Sequence, residues 1–354
     1  MSWTAVHQFL PTLLRGDAVG EHALHIRQQQ RARGRAAEIF VDVINEETAD
    51  ETRHFDDIDR HVHPGTTLFS YHMAQASRCA DVLLERDEPL ALHFHNLTPV
   101  DLLAGWDPTA ACLLLDAHHQ LDTLIDRALI GICDSEYNAS QLHARGLADT
   151  HVVCLPVEPP VDTTVRDHGP PTVLFVGRVA PNKALHDLIV SVALLRDHIP
   201  EVRLRLVGPP TSESYSSALA GLVEDLDLTD TVTFAGRVSP RELSEAYATA
   251  DVFCCLSDHE GFGVPLLEAM SHGVPVVAYD CTAVGETVGP AGMLLDDKAC
   301  ELTATALERV LTDPVLAERM RAAGLSRAAE FTPARCDEEM ERALEAAWQC
   351  AAVR

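Results

Sequence analysis

Short apolar runs rich in Val, Ile and Leu alternate along this chain with longer segments in which apolar residues recur every three or four positions. The short runs predict buried strands, and the longer spacing predicts amphipathic helices. The predicted strands are 38–44, 90–95, 129–133, 173–176, 202–207, 232–235, 252–255 and 274–278. The predicted helices are 18–33, 184–196, 215–226, 240–249 and 264–271. This alternation predicts an α/β fold with parallel sheets covered by helices on both faces.

Prolines and glycines interrupt the pattern over 156–171. Because proline donates no backbone hydrogen bond, this stretch indicates an extended linker. We therefore predict two Rossmann-like, doubly wound domains, residues 1–165 and 166–335, that face each other across a cleft where a ligand binds. Residues 336–354 are predicted to form a helix that crosses back to the N-terminal domain. Its apolar face comprises Met340, Ala343, Leu344, Ala347 and Trp348.

The composition excludes several classes of protein. With 54 acidic and 27 basic residues, the chain has a formal net charge of −27, which rules out an overall basic surface for nucleic acid. The N-terminus lacks the basic and apolar regions of a signal peptide, and no apolar run is long enough to span a membrane. None of the ten cysteines shows C-x-x-C spacing, which predicts reduced, mostly buried thiols in a cytoplasmic protein.

The first candidate for chemistry is the stretch 173–183, in which a predicted strand ends at Gly177 and a helix starts near Ala184. Arg178 and Lys183 flank the predicted helix N-terminus, whose N–H groups are unpaired. Two cations beside such a terminus predict an anion site, most naturally for a diphosphate. Lys183 is one of only two lysines in the chain, with Lys298. The competing interpretation is a solvated loop that carries two ordinary surface cations.

The second candidate is the stretch 257–270, in which Glu260 and Glu268 are eight positions apart with a glycine-rich turn between them. Pro265 suits the first turn of a helix, so that Glu268 lies about one turn inside it. Ionised carboxylates accept several hydrogen bonds, which predicts contacts with sugar and ribose hydroxyls. The competing interpretation is a capping loop with solvated acids.

These two stretches carry a family resemblance. The run Glu260-Gly-Phe-Gly-Val-Pro-Leu-Leu-Glu268 resembles the E-x7-E motif of retaining glycosyltransferases of family 4, which have the GT-B fold. Gly177-Arg178 with Lys183 resembles the G-R-x4-K phosphate motif of that family. The chain departs from the family pattern at Ala184, where glycine is usual, and at Gly285-Glu286, where Pro-Glu is usual. The resemblance covers nearly the whole chain and is most specific over 173–290.

The resemblance implies a role for each matching residue. Arg178 and Lys183 would neutralise the departing diphosphate, Glu260 would bind the donor sugar, and Glu268 would accept hydrogen bonds from the ribose. The nucleotide base would lie near Gly236-Arg237-Val238. The further donor-binding positions that the resemblance implies are Gly16, Gly177, Arg237, Val238, Phe262, Gly263 and Val264.

The N-terminal half resembles the family more weakly. Gly16 belongs to a loop before a helix that is similar to the family's glycine-containing loop, although an ordinary helix N-terminus explains it equally well. The string from His95 to Pro99 recurs in a subset of these enzymes and makes His95 the candidate for contact with the reacting sugar. His72, at the end of another predicted strand, is a weaker candidate. With 18 histidines in the chain, a structural role is the alternative for either residue.

The resemblance implies a retaining glycosyltransferase that uses a nucleotide-diphosphate sugar and a saccharide, lipid-linked or small-molecule acceptor. No metal or other cofactor is expected, because Arg178, Lys183 and the helix N-terminus supply positive charge; Asp258-His259-Glu260 is too local to enclose an ion. Three alternatives stay open: a GT-B epimerase or phosphorylase, a non-catalytic sugar-nucleotide-binding subunit, and an NAD-dependent dehydrogenase. The absence of G-x-G-x-x-G after the first strand of either half disfavours the dehydrogenase.

Overall fold

The computed structural model describes residues 3–157 and 169–353 and divides the chain into two compact units. The first comprises Met1–Val100, Thr109–Pro156 and Pro333–Arg354, and the second comprises Asp101–Pro108 and Val157–Thr332. Most of the predicted linker at 156–171, and with it the predicted boundary between residues 165 and 166, lies outside the described residues.

Thirteen strands and thirteen α-helices are present in the described part of the chain. The strands are β1 (Ala5–Leu10), β2 (Ile39–Val41), β3 (Arg53–His54), β4 (Thr67–Met73), β5 (Leu90–Phe94), β6 (Ile130–Cys133), β7 (Thr150–Val152), β8 (Thr172–Val176), β9 (Arg203–Val207), β10 (Val232–Gly236), β11 (Val252–Cys255), β12 (Val276–Tyr279) and β13 (Met293–Leu295).

The helices are α1 (Ala18–Ala32), α2 (Arg78–Leu84), α3 (Asp101–Ala104), α4 (Pro108–Arg127), α5 (Glu136–His143), α6 (Leu185–Arg196), α7 (Glu213–Asp225), α8 (Pro240–Ala248), α9 (Val264–Ser271), α10 (Val284–Val288), α11 (Cys300–Thr312), α12 (Pro314–Ala328) and α13 (Pro333–Val353). None of the helices in the described ranges combines the length and the hydropathy that a membrane crossing requires.

Each unit contains one parallel sheet, which confirms the predicted α/β class. The first sheet has seven strands in the order β3-β2-β1-β4-β5-β6-β7, and the second has six in the order β10-β9-β8-β11-β12-β13. In both sheets the strand order reverses beside the unit's first strand, at β1/β4 and at β8/β11. Such switch points leave a crevice at the carboxyl ends of the strands, where open α/β sheets bind ligands.

Each strand predicted from the apolar runs has a counterpart in the structure, and one of them is clearly shorter than predicted. The run 38–44 forms a ladder only over Ile39–Val41. The amides of Asp42 and Val43 instead donate to the carbonyl of Pro11, at 3.2 and 3.0 Å. These bonds turn the chain away from the sheet, although apolar residues continue at Val43 and Ile44.

Helix α13 packs on the first unit through the apolar face that its periodicity predicts. Met340, Ala343, Leu344 and Ala347 are buried in one cluster with residues of the first sheet and of α1. Trp348 packs against that cluster, and its ring stacks on Trp3 with centroids 6.4 Å apart. The last segment of the chain therefore completes the core of the unit that contains the first strand.

The prediction that the cysteines are reduced is wrong for one pair. Cys154, just after β7, forms a disulfide with Cys336 on α13. The eight other cysteines are free thiols. The two partners are 182 positions apart, and local spacing carries no signal for a pairing at that separation. The bond ties the last helix to the end of the first sheet.

The disulfide generates the first prediction. Replacing Cys154 and Cys336 together by serine should lower the free energy of unfolding by about 2–4 kcal/mol, because the cross-link removes chain entropy from the unfolded state. Urea unfolding, followed by circular dichroism, measures the change. Cys112→Ser, at an exposed free cysteine, is the matched control and should leave the midpoint unchanged. Ten reactive thiols in the denatured, unreduced protein would contradict the bond.

Candidate functional site

The residues of the two sequence motifs meet at the carboxyl edge of the second sheet. Gly177 follows β8 directly, and Ser257 lies two residues beyond the end of β11. These strands are neighbours at the switch point of the sheet. The loops that leave them therefore lie side by side, which the sequence predicts only through the family resemblance.

Glycines at the ends of three adjacent strands let these loops approach one another closely. Gly177 has φ 153° and Gly208 has φ 139°. A Cβ atom on Gly208 would lie 2.0 Å from the carbonyl oxygen of Gly177, so no side chain fits there. The amide of Gly208 donates to the carbonyl of Gly236 at 2.9 Å. Arg237, predicted to lie near the nucleotide base, is exposed beside this junction.

The phosphate motif folds differently from the single helix start that the sequence predicts. Residues Pro181–Lys183 form a short 3-10 helix, and α6 begins only at Leu185. Between them Ala184 is fully buried and has a left-handed conformation, with φ 48° and ψ 41°. Glycine adopts this conformation at much lower cost than alanine. The geometry thus explains why glycine is the usual residue of the family at this position.

Lys183 and Glu260 form an ion pair, which the sequence did not predict. Lys183 Nζ donates to Glu260 Oε1 at 2.6 Å, and the Ser257 hydroxyl donates to the same oxygen at 2.7 Å. The side chains of the pair are 13% and 14% exposed. Burial acts to raise the pKa of Glu260, but the charge and hydrogen bonds of Lys183 and Ser257 outweigh it and lower the pKa. The carboxylate is therefore ionised and held in one orientation.

The arrangement is suited to an exchange of anions around Lys183. A diphosphate that approaches Lys183 would compete with Glu260 for the ammonium group, which leaves Glu260 able to accept hydrogen bonds from hydroxyls. Arg178 is exposed and, among the described residues, forms no ion pair. It can therefore bind a phosphate without first losing a protein partner.

Glu268 lies in α9 and has a partner that the sequence analysis missed. The hydroxyl of Tyr247, on α8, donates to Glu268 Oε2 at 2.6 Å. Burial raises the pKa of Glu268, and the Tyr247 hydrogen bond opposes part of that rise. No sequence signal marks Tyr247, since an aromatic residue at a buried helical position is most often only part of the core. Phe262 and Gly263 lead into α9, which begins at Val264 and whose first N–H groups have no partner within the helix.

The second lysine of the chain also binds this loop. Lys298 Nζ contacts Asp258 Oδ1 at 2.5 Å and Asp187 Oδ2, in the first turn of α6, at 2.8 Å. The sequence marked Lys298 only by the scarcity of lysine and predicted no role for it. Both lysines of the chain thus form ion pairs with the segment that begins at Ser257.

In the first unit, Gly16 lies in the loop between β1 and α1 and has φ 73°. Its amide donates to Glu21 Oε1 at 3.0 Å. Asp17 caps α1 by accepting a hydrogen bond from the amide of Gly20 at 3.3 Å. These bonds describe a helix N-terminus; a donor-binding role for Gly16 stays a prediction.

His72 and His95 come together in a buried polar cluster, with Asp134 as a partner that the sequence analysis missed. His95 Nδ1 lies 2.8 Å from Asp134 Oδ2, and His95 Nε2 lies 2.8 Å from His72 Nδ1. The side chain of His95 is 3% exposed. Both ring nitrogens of His95 are therefore in contact with protein atoms. The next residue, Asn96, has φ 76°, a conformation that asparagine tolerates better than most residues.

Two more histidines, His22 and His93, complete the cluster, and three of their four ring nitrogens lack a hydrogen-bond partner among the described residues. In the described part of the chain, both ring nitrogens of His93, Nδ1 of His22 and Oδ1 of Asp134 form no hydrogen bond. His93 Nε2 is 3.5 Å from Asp134 Oδ1, too long for a good bond. Burial lowers the pKa of His93 to about 4, so its ring is neutral at neutral pH.

By spacing alone, this cluster contains two groups that could hold a metal ion. They are His72, His93 and His95, and His22, His93 and Asp134, with ligand atoms within 4.8 Å of one another in each group. In the first group two of the nitrogens already bond to each other.

Comparisons with known proteins place the fold in the GT-B class. A crystal structure of Anabaena Alr3699/HepE in complex with UDP and glucose superimposes with a TM-score of 0.79 at 17% identity. The superposition covers 96% of this chain and 99% of that one. At this identity the likeness establishes the architecture, two Rossmann-like parallel-sheet domains, and nothing about substrates.

Sequence comparison then finds a family match over part of the chain. Residues 162–327 match the family "Glycosyl transferases group 1", so this part of the chain is a glycosyltransferase group 1 domain, in agreement with the resemblance that the motifs carry. A GDP-mannose-dependent alpha-(1-6)-phosphatidylinositol monomannoside mannosyltransferase of Mycobacterium tuberculosis (strain ATCC 25618 / H37Rv) is 34% identical over 163 residues, 44% of this chain and 42% of that protein. A D-inositol 3-phosphate glycosyltransferase of Rhodococcus opacus (strain B4) is 34% identical over 148 residues, which are 40% of this chain and 33% of that protein. The match therefore spans less than half the length of these relatives.

The Lys298 contacts generate the second prediction. Lys298→Met should lower the melting temperature by about 2–4 °C, because Asp187 and Asp258 lose their shared cation and repel each other. Differential scanning calorimetry measures the shift. Arg241→Met removes an exposed pair with Glu245 on α8 and should change the melting temperature much less. Equal shifts in the two variants would show that Lys298 contributes no more than a surface ion pair.

Proposed function

We propose that this protein transfers a hexosyl group from a nucleotide-diphosphate sugar to an acceptor hydroxyl, with retention of the anomeric configuration. The observation that carries the proposal is the Lys183–Glu260 ion pair at the switch point of the second sheet, inside the glycosyltransferase group 1 domain. The mannosyltransferase relative supports a hexose as the transferred group.

In the proposed reaction, negative charge develops on the departing diphosphate. Lys183, Arg178 and the N-terminal amides of α9 are preorganised positive groups, and such groups stabilise a developing charge without first reorganising. Because they already supply the compensating charge, we propose that the transfer itself needs no metal ion. Glu260, released from Lys183 by the diphosphate, would accept hydrogen bonds from the hydroxyls of the sugar.

Retention is proposed from the E-x7-E arrangement of Glu260 and Glu268, which retaining family 4 enzymes share. Departure and attack would occur on the same face of the sugar, and a phosphate oxygen would take the proton of the acceptor hydroxyl. Proton nuclear magnetic resonance of the product tests retention, because it distinguishes the two anomers of the transferred sugar directly. An inverted product would reject this part of the proposal.

The decisive test of the proposed function is product formation from candidate donors. GDP-mannose and UDP-glucose are offered with a panel of saccharide, lipid-linked and small-molecule acceptors, with and without EDTA. Transfer that is equal in both conditions supports the proposal. An epimerised nucleotide sugar formed without acceptor would favour the epimerase alternative, and a phosphate-dependent sugar phosphate would favour the phosphorylase.

The third prediction concerns Lys183. Lys183→Met should lower kcat about 100-fold, because the developing charge on the diphosphate loses a fixed partner. Steady-state kinetics with the identified donor measures the loss. Arg241→Met, which removes a surface cation of the same unit, is the control for a nonspecific effect of charge. A Lys183→Met enzyme with the wild-type rate would contradict the assignment of Lys183.

The fourth prediction concerns Glu268 and pH. An ionised Glu268 binds ribose hydroxyls better than a protonated one, so the affinity for a nucleoside diphosphate should fall as the pH drops through the raised pKa of Glu268. Tyr247→Phe removes the hydrogen bond that lowers this pKa, so the loss of affinity should begin at a higher pH. Isothermal titration calorimetry with GDP and UDP across a pH series measures both effects.

Glu268→Gln is the control for the titration of the nucleotide itself. Its affinity should be lower at neutral pH and should follow only the phosphate groups of the ligand as the pH falls. A Glu268→Gln curve identical to the wild-type curve would show that Glu268 does not contact the nucleotide.

A further inference from the structure

A chain of hydrogen bonds crosses four neighbouring strands of the first sheet near their carboxyl ends. It runs from Gln8 on β1 to His72 on β4, His95 after β5 and Asp134 after β6. The three contacts measure 2.9, 2.8 and 2.8 Å. All four residues are buried or nearly so, and the protons in these contacts can therefore be assigned from the bonding partners.

The assignment starts at Gln8, whose orientation is fixed. Gln8 Nε2 donates to the carbonyl oxygen of Ala23 at 2.8 Å. Gln8 Oε1 is therefore the atom that faces His72 Nε2, and a carbonyl oxygen only accepts. His72 must consequently carry a proton on Nε2.

The two remaining contacts each need one proton as well. One lies between His72 Nδ1 and His95 Nε2, and the other between His95 Nδ1 and Asp134 Oδ2. A neutral imidazole carries a single N–H, so two neutral rings supply two protons for three contacts. The chain therefore holds one proton more than two neutral rings and a carboxylate contain.

The surroundings locate the additional proton. Burial among other histidines lowers the pKa of His72 well below its ordinary value, which excludes a doubly protonated His72. In the contact between His95 Nδ1 and Asp134 Oδ2 the proton belongs to the ring, because imidazole is a much stronger base than a carboxylate, and Asp134 accepts the bond. The remaining position is the ring of His95.

We propose that His95 is a buried imidazolium with a proton on each ring nitrogen, and that Asp134 and His72 are positioning residues that accept its two N–H groups. Its role in catalysis rests on the proposed transferase function. A ring in this state has no lone pair, so His95 contributes a fixed positive group to the reaction and does not act as a base.

The same geometry argues against a metal ion in this cluster. The charge of His95 already neutralises Asp134, and the described neighbours His22, His72 and His93 are neutral histidines. Neutral imidazoles can bind a divalent cation, but a metal ion on His72 or His95 would require these nitrogens to lose the protons that their hydrogen bonds need.

Nuclear magnetic resonance on the full chain with isotope-labelled histidine tests the charge without any substrate. Near neutral pH, one histidine should show protons on both ring nitrogens, with a strongly downfield Nδ1 proton. Asp134→Asn should abolish this signature. His7→Gln should preserve it, since His7 is a buried histidine of the same sheet that bonds instead to His61 and Glu38. Persistence of the signature in Asp134→Asn would overturn the assignment.

Metal analysis of the same sample provides a second outcome that would overturn it. A stoichiometric transition metal, whose removal by a chelator changes the histidine signals, would mean that the nitrogens bind an ion. Absence of metal together with the doubly protonated ring supports the proposal.

Kinetics test the positioning role. Asp134→Asn should lower kcat about tenfold or more while KM for the donor stays within about threefold, because the charge is lost and the donor-binding loops of the second unit are untouched. Asp134→Glu should restore part of kcat, and His7→Gln should retain it. An unchanged kcat in Asp134→Asn, or an equal loss in His7→Gln, would reject the role.

Circular dichroism checks that each variant folds. If Asp134→Asn does not fold, Asp134→Glu is used instead. Because glutamate keeps the negative charge at this position, the ring of His95 should stay doubly protonated in this variant. If the wild-type protein transfers no sugar, the proposed function fails, and the resonance experiment still decides the charge of His95 by itself.

Discussion

The ion pair between Lys183 and Glu260 is the interaction on which the candidate site depends. It joins the loop after β8 to the loop after β11, the two strands between which the order of the second sheet reverses. A largely buried pair of this kind adds little net stability, because desolvation offsets most of the attraction. Its value lies in geometry: it holds a cation and a carboxylate in fixed positions at the crevice.

Several neighbouring contacts serve the same loop. Ser257 bonds to the carboxylate of Glu260, and Thr282 bonds to both its amide and its carbonyl oxygen. Lys298 holds Asp258 against α6. Together these bonds fix the backbone that leads into α9, so the first-turn amides and Glu268 are positioned before any ligand binds. Preorganisation of this kind is what charge stabilisation in a transfer reaction requires.

The net charge of −27 is compatible with an anionic ligand because electrostatic interactions decay with distance and screening. Acidic groups farther away than about 10 Å contribute little in physiological salt. Lys183 and Arg178 belong to the same short loop and would act on a diphosphate at contact distance. The histidine cluster of the first unit illustrates the same rule, since the state of His95 is set by Asp134 and His72 and not by the overall charge.

By itself, the sequence determined the α/β class, the two parallel sheets, the apolar face of the last helix and the two loops that carry Lys183 and Glu260. These features arise from local information: periodicity, glycine and proline positions, and motif spacing. Only the tertiary structure decided which groups meet. Tyr247 lies 21 residues from Glu268, Asp134 lies 39 from His95, Lys298 lies 40 from Asp258, and Cys154 lies 182 from Cys336. Such partners are brought together by the order of strands in a sheet. That order depends on pairing between distant segments, and the local spacing of residues along the chain does not specify it.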